Sequence, residues 1–194
     1  YASDSRSGRG GGERAIFGVN AYIMKKITAL SVQQDAVFIQ FTGDMIDGYR
    51  SSMSETLLQY TNWKRSIEPF AAWIPVNFTM GNHESLNYQF GTPNEGVISV
   101  DKFPFDSASG EAAFARVAVN PLDGPVSEDG AKYDPNPGKQ DFPSYKENVF
   151  YYTYDNTAMI CLNSNYWYSP SRRGLAEIGG NLHGYIMDKQ LDWL

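Results

Sequence analysis

The chain has 194 residues, 42% of them hydrophobic and 20% charged, with a formal net charge of −6. That length supports one sizeable core and leaves two full domains cramped. The acidic balance argues against binding a nucleic-acid backbone, which calls for a basic face. No run of about 18 apolar residues is present to span a membrane, and the single cysteine, Cys161, excludes an internal disulfide.

In chain order, Tyr1-Ala2-Ser3 reads as the tail of a strand, with Asp4 directly after it and no signal peptide visible. Ser5 to Gly12 is a polar, glycine-rich loop. Glu13 to about Gln33 is predicted helical, because Ile16, Val19, Ile23, Ile27 and Leu30 fall on one face that Phe17 and Met24 widen. Val37, Phe38, Ile39 and Phe41 form the apolar run of a strand covered on both faces, and it enters Gly43-Asp44-Met45-Ile46-Asp47-Gly48. Ser52-x-x-Glu55 is a capping box. It opens a second helix to about Ile67, with Leu57, Leu58, Tyr60 and Trp63 available for packing and Pro69 as its stop. Ile74 to Met80 is a second strand, with Pro75 suited only to its first positions or an edge. It runs into Gly81-Asn82-His83-Glu84.

Residues 85–148 read as a long irregular insert in a single domain, 1–194, with a modest helix around Glu111 to Val119. Loops of that length are commonly lids, binding loops or disordered. Their aromatics, Tyr88, Phe90, Phe103, Phe105, Tyr133, Phe142 and Tyr145, either pack the loop or stack on a base or sugar. The acidic loop Asp123 to Asp134 reads as turn chemistry. Val149–Tyr154 and Thr157–Asn163 form a hairpin about Asp155-Asn156, its second strand buried through Ala158, Met159, Ile160 and Leu162, with Cys161 a small core residue. Tyr166 to Gly184 is a further loop. Tyr185 to Leu194 begins an amphipathic helix with Ile186, Leu191 and Trp193.

Three strand ends thus carry polar groups, at Asp4, Asp44 and Asn82, separated by 40 and 38 positions. Each gap holds one helix and one strand, the length of a βαβ unit. In α/β proteins ligands collect just beyond the carboxyl ends of strands, and a carboxylate beside a glycine there can hold a cation or move a proton. From residue type alone, Asp44 is also a turn former or helix cap. Asp44-x-x-Asp47-Gly48 could equally be part of a calcium loop, although the other ligand positions of such a loop are missing.

Together Asp4-x-Arg6, Gly43-Asp44-x-x-Asp47-Gly48 and Gly81-Asn82-His83-Glu84 resemble the calcineurin-like metallophosphoesterases, whose motifs run D-x-H, G-D-x-x-D, G-N-H-E/D, a later lone His and G-H-x-H. The resemblance implies an α/β/β/α sandwich of two mixed sheets flanked by helices. It also implies that the chain is incomplete at both ends, a strand lacking its start and a helix its end. The only other histidine, His183, sits in a Gly-Asn-Leu-His-Gly loop that fits neither late motif.

By the same resemblance the complete enzyme carries two metal ions of Mn, Fe or Zn. Asp44 bridges them, Asp4 is a ligand of one and the Asn82 amide oxygen a ligand of the other. His83 donates a proton to the leaving alkoxide or stabilises the bound phosphate, Asp47 holds the loop or orients His83, and Glu84 caps rather than ligates. Position 6 departs from the family pattern. Arginine stays protonated and cannot donate to a metal, but it can grip phosphate in a bidentate fashion. Arg6 is therefore expected to bind a substrate oxygen, with the first metal site weakened or absent; the alternative is that it merely pairs with a loop carboxylate. The expected function is metal-dependent hydrolysis of a small-molecule phosphoester, monoester or diester. The alternative is a non-catalytic phosphate- or ligand-binding module that kept the fold.

Overall fold

The computed structural model describes residues 1–6, 16–48, 50, 52–85, 106–132, 134, 136–140, 142–165 and 186–194, and by backbone alone 86–88, 98–100 and 105. The chain divides into two compact units, Tyr1–Glu84 and Ser85–Leu194.

The first unit is α/β. Helix α1 (Ala21–Gln33) leads to strand β1 (Ile39–Phe41), and helix α2 (Met53–Ala71) to strand β2 (Val76–Phe78). The two strands pair in parallel, Ile39 with Val76, Gln40 with Asn77 and Phe41 with Phe78. On the other side of β1, Ala2 forms a parallel bridge to Phe41. The Ala2 N–H donates to the Gln40 carbonyl (3.0 Å), and the Thr42 N–H donates to that of Ala2 (2.9 Å). Parallel neighbours require crossovers, and successive right-handed crossovers in one direction put both helices on one face; α1 and α2 indeed pack together. Trp63 of α2 lies edge-on to Phe41 (5.5 Å) and Phe78 (5.2 Å), so the sheet's helix-facing side is an aromatic layer with all three rings buried. The chain order places Asp4, Asp44 and Asn82 at the same end of these three parallel segments.

Several local expectations change. Helix α1 starts at Ala21 rather than Glu13, and residues 7–15 lie outside the described set. Ile16 and Val19 exchange N–H···O bonds across a turn (both 2.9 Å) in which Gly18 takes φ +87°. The Asn20 side chain then caps the helix by accepting from the Ile23 N–H (3.2 Å). That start sets the phase, so Ala21, Met24 and Thr28 are buried while Ile16, Phe17, Ile23 and Leu30 are exposed. Val37 is exposed too, ahead of the buried Ile39–Phe41 segment. In α2 the Ser52 hydroxyl accepts from the Glu55 N–H (3.1 Å) as the capping box requires, and Tyr60 and Trp63 are buried while Leu58 is exposed. Pro69 does not end the helix, which continues to Ala71. The N–H that proline lacks would have met the Arg65 carbonyl, and both residues are exposed on the final turns.

The second unit begins with β3 (Leu86–Tyr88) antiparallel to β4 (Ile98–Val100), so residues 85–148 hold short regular elements as well as loops. Helices α4 (Phe105–Ala108) and α5 (Gly110–Ala115) follow. The Ser109 hydroxyl caps α5 through the Ala112 N–H (3.0 Å). Helix α5 stops short of the expected Val119, because the Val117 and Ala118 N–H groups both turn back to the Phe114 carbonyl (2.9 Å each). The expected hairpin is present as β5 (Phe150–Tyr154) and β6 (Thr157–Cys161). Its second strand is not buried, however. Ala158 and Ile160 are exposed and only its root, the Phe150–Cys161 pair, enters the core. The last helix, α6, is Asp188–Trp193 with Leu191 exposed.

Phe142, Tyr145, Val149 and Met187 form this unit's core cluster, with Leu162 and Trp193 against it. Phe142 and Tyr145 therefore pack rather than present a stacking face; the side chains of the other insert aromatics lie outside the described residues, as does His183. Asp134 accepts from the Gly130 and Asn136 N–H groups (2.7 Å each), the turn chemistry expected of the acidic loop.

Candidate active site

The site is built where β1 and β2 end. Beyond β1, Gly43 adopts φ +102°, and a methyl group there would collide with the Gly81 backbone. The two strand-end loops are thus in van der Waals contact through their glycines, an approach only residues without Cβ allow. Gly81 in turn lies so close to Asp44 that a methyl would overlap the Asp44 side chain and backbone. The first strand end joins them, with the Asp4 N–H donating to the Gly43 carbonyl and the Arg6 N–H to the Asp44 carbonyl (3.1 Å each). Asp4 and Asp44 both sit in the left-handed region, φ 56° and 55°. Such backbone strain is of order 1 kcal/mol or more per residue and tends to collect at functional sites.

Glu84 locks the loops together. Its carboxylate is fully enclosed and accepts from the N–H groups of Gly81 (2.6 Å), Asp44 (2.8 Å), Met45 (2.8 Å) and Ile46 (3.2 Å). Burial, and then the neighbouring Asp44 charge, push its carboxyl up to about 7, against the pull of the backbone N–H groups toward the ionised form. Ser5 adds a second tie, donating to the Met45 carbonyl (3.1 Å) and accepting from the Trp63 indole (3.0 Å). Gln59 of α2 accepts from the Gly48 N–H (2.9 Å).

The side chains expected to act are arranged around Asp44, which is itself buried. Its Oδ1 accepts from the His83 N–H (3.1 Å). Its Oδ2 faces Arg6 Nε at 3.4 Å and His83 Nε2 at 4.0 Å. His83 Nδ1 lies 2.6 Å from the Asp47 carbonyl oxygen. A carbonyl can only accept, so Nδ1 carries a proton and the ring's Nε2 edge is turned toward Asp44. Asp47 therefore orients His83 through its main chain, while its carboxylate pairs with Arg50 (3.5 Å). Asp4 is exposed, its Oδ2 accepting from the Ser3 hydroxyl (2.6 Å). Asn82 is half-buried at the start of the single turn α3 (Asn82–Ser85).

The family model described as calcineurin-like phosphoesterase matches residues 17–169. The chain belongs to the calcineurin-like phosphoesterase family. No curated protein and no solved structure matches it. The family span includes the Asp44 and Asn82 loops and begins after Asp4 and Arg6, so the part of the site that departs from the family pattern precedes the matched segment. Phosphoesterases of this family draw on metal ions. Among the described residues no three His, Cys, Asp or Glu side chains gather into a metal-holding group. The chain offers instead two carboxylates and one amide, from Asp4, Asp44 and Asn82, a hard oxygen set suited in kind to a divalent cation such as Mn²⁺.

One feature of the site is not legible in the sequence, Glu84 bonding to both loops at once; Arg6 meets a loop carboxylate, one of the two partners the sequence left open for it, and the structure identifies that carboxylate as Asp44. Glu84 follows Gly-Asn-His directly, which marks it as a cap, but no local pattern announces donors about 40 positions away.

Proposed function

We propose that this chain hydrolyses a small phosphoester, monoester or diester, in a metal-dependent reaction at the Asp44–His83 site, within the α/β/β/α sandwich expected of the family. Asp4, Asp44 and Asn82 would hold the metal. When bound, it would supply charge neutralisation for the phosphoryl oxygens and acidify a water molecule. Arg6 contacts a phosphoryl oxygen, since its guanidinium is held beside Asp44 while the side chain remains 39% exposed. His83, its Nδ1–H held on the Asp47 carbonyl, would act in its imidazolium form, giving the second proton, carried on Nε2, to the departing alkoxide and being left as the neutral Nδ1–H ring. Glu84 keeps both loops in register, with Arg6 Nε and His83 Nε2 at 3.4 and 4.0 Å from Asp44 Oδ2.

The observation carrying this reading is the His83 arrangement, a buried imidazole with one nitrogen fixed by a carbonyl at 2.6 Å and the other facing Asp44. The test is hydrolysis of p-nitrophenyl phosphate and bis(p-nitrophenyl) phosphate by the intact protein. Chelator should abolish turnover and Mn²⁺ restore it; turnover indifferent to both would refute the proposal. The Arg6–Asp44 pair also favours a second reading, a phosphate-binding module without turnover. Phosphate binding in the presence of Mn²⁺, with neither ester cleaved, would establish that alternative.

A further inference from the structure

We infer that Arg6 takes the place of a metal ion, so that the site holds one cation and one fixed guanidinium rather than two metals. This rests on the metal-dependent reading above and goes beyond it by assigning the number of ions. An ionised carboxylate offers about four lone-pair directions. In Asp44 one on Oδ1 is taken by the His83 N–H at 3.1 Å, and Oδ2 is faced by Arg6 Nε at 3.4 Å. A second cation sharing Asp44 through Oδ2 would have to sit beside the Arg6 charge already facing that oxygen. Arginine cannot make way by losing its proton, and its charge repels any cation approaching the same oxygen.

Main-chain bonding holds the arrangement in place. The Arg6 N–H donates to the Asp44 carbonyl (3.1 Å), and Arg6 also forms an antiparallel bridge with Val19, so the side chain starts from a fixed point beside Asp44. Arg6 Nε is buried, and among the described residues its terminal nitrogens have no partner other than solvent. One edge of the guanidinium therefore faces Asp44, and the other can receive a phosphoryl oxygen, taking over the charge neutralisation but not the activation of water that a second metal would supply.

The test counts ions rather than turnover. Mn²⁺ is titrated into the chelator-stripped intact protein, and free Mn²⁺ is read by electron paramagnetic resonance. The wild type and Arg6→Lys should each saturate at one ion per chain, and Arg6→His should saturate at two, with folding checked by circular dichroism. Two ions in the wild type would overturn this inference and leave the metal-dependent reading standing, and that result decides even if Arg6→His fails to fold. One ion in a folded Arg6→His would also overturn it, because Arg6 would not then be what excludes the second. No ion in any variant would overturn both.

Discussion

At Glu84 a single carboxylate satisfies four backbone N–H groups drawn from two loops. Removing it leaves those donors enclosed without partners, each costing about 1–3 kcal/mol unless water enters. Glu84→Ala should therefore destabilise the protein by roughly 2–4 kcal/mol and weaken Mn²⁺ binding, although Glu84 is proposed to touch no metal. Urea unfolding with the midpoint unchanged would show that the loops hold without it. At Cys161, burial pushes the thiol up to about 11, from an ordinary value of 9.0. The unfolded thiol ionises first as pH rises, so over that interval the unfolded state binds fewer protons and stability falls with pH. Well below pH 9 its ionisation should have no effect on stability. Comparing urea midpoints of wild type and Cys161→Ala from pH 8 to 11 isolates this contribution, and parallel profiles would contradict it.

Helix α1 shows how an element can be read correctly in kind and only partly in phase. Periodicity favours a face through Ile16, Val19, Ile23, Ile27 and Leu30, widened by Phe17 and Met24; the observed face runs through Ala21, Met24 and Thr28, so Val19 and Met24 are buried as expected while Ile16, Phe17, Ile23 and Leu30 are exposed. What decides is the start: the Gly18 turn and the Asn20 cap fix where the helix begins, and the sheet then selects the observed face. The β6 strand failed for a related reason, since an apolar run signals burial only where another layer covers it, and this ribbon buries little beyond its root. The phase can be tested directly. Met24→Ala should cost roughly 2–4 kcal/mol as a core truncation, whereas Leu30→Gln should stay within about 0.5 kcal/mol as a surface change. The reverse order would place Leu30 rather than Met24 in the core. Asn20→Ala should cost about 1 kcal/mol through loss of the cap.

Over the whole molecule, the parallel α/β arrangement and the gathering of the loops at Asp4, Asp44 and Asn82–His83 were legible, because a strand that ends in glycine and an acid is a local pattern repeated at a βαβ interval. The long-range pairings were less so: that Arg6 could meet a loop carboxylate was one of two open readings, without saying which, and Glu84 with Met45 spans a distance in sequence that no short motif encodes. Catalysis tests the account most directly at His83, in the kinetics of His83→Ala on one aryl and one alkyl phosphoester, with bound metal measured in the same samples. General acid catalysis contributes about 10²–10⁴-fold. If His83 protonates the leaving group, kcat should fall by that order on the alkyl ester and far less on the p-nitrophenyl ester, whose leaving group needs little protonation, while metal content stays at the wild-type level. Equal losses on both esters, accompanied by loss of metal, would contradict the assignment and make His83 a structural residue.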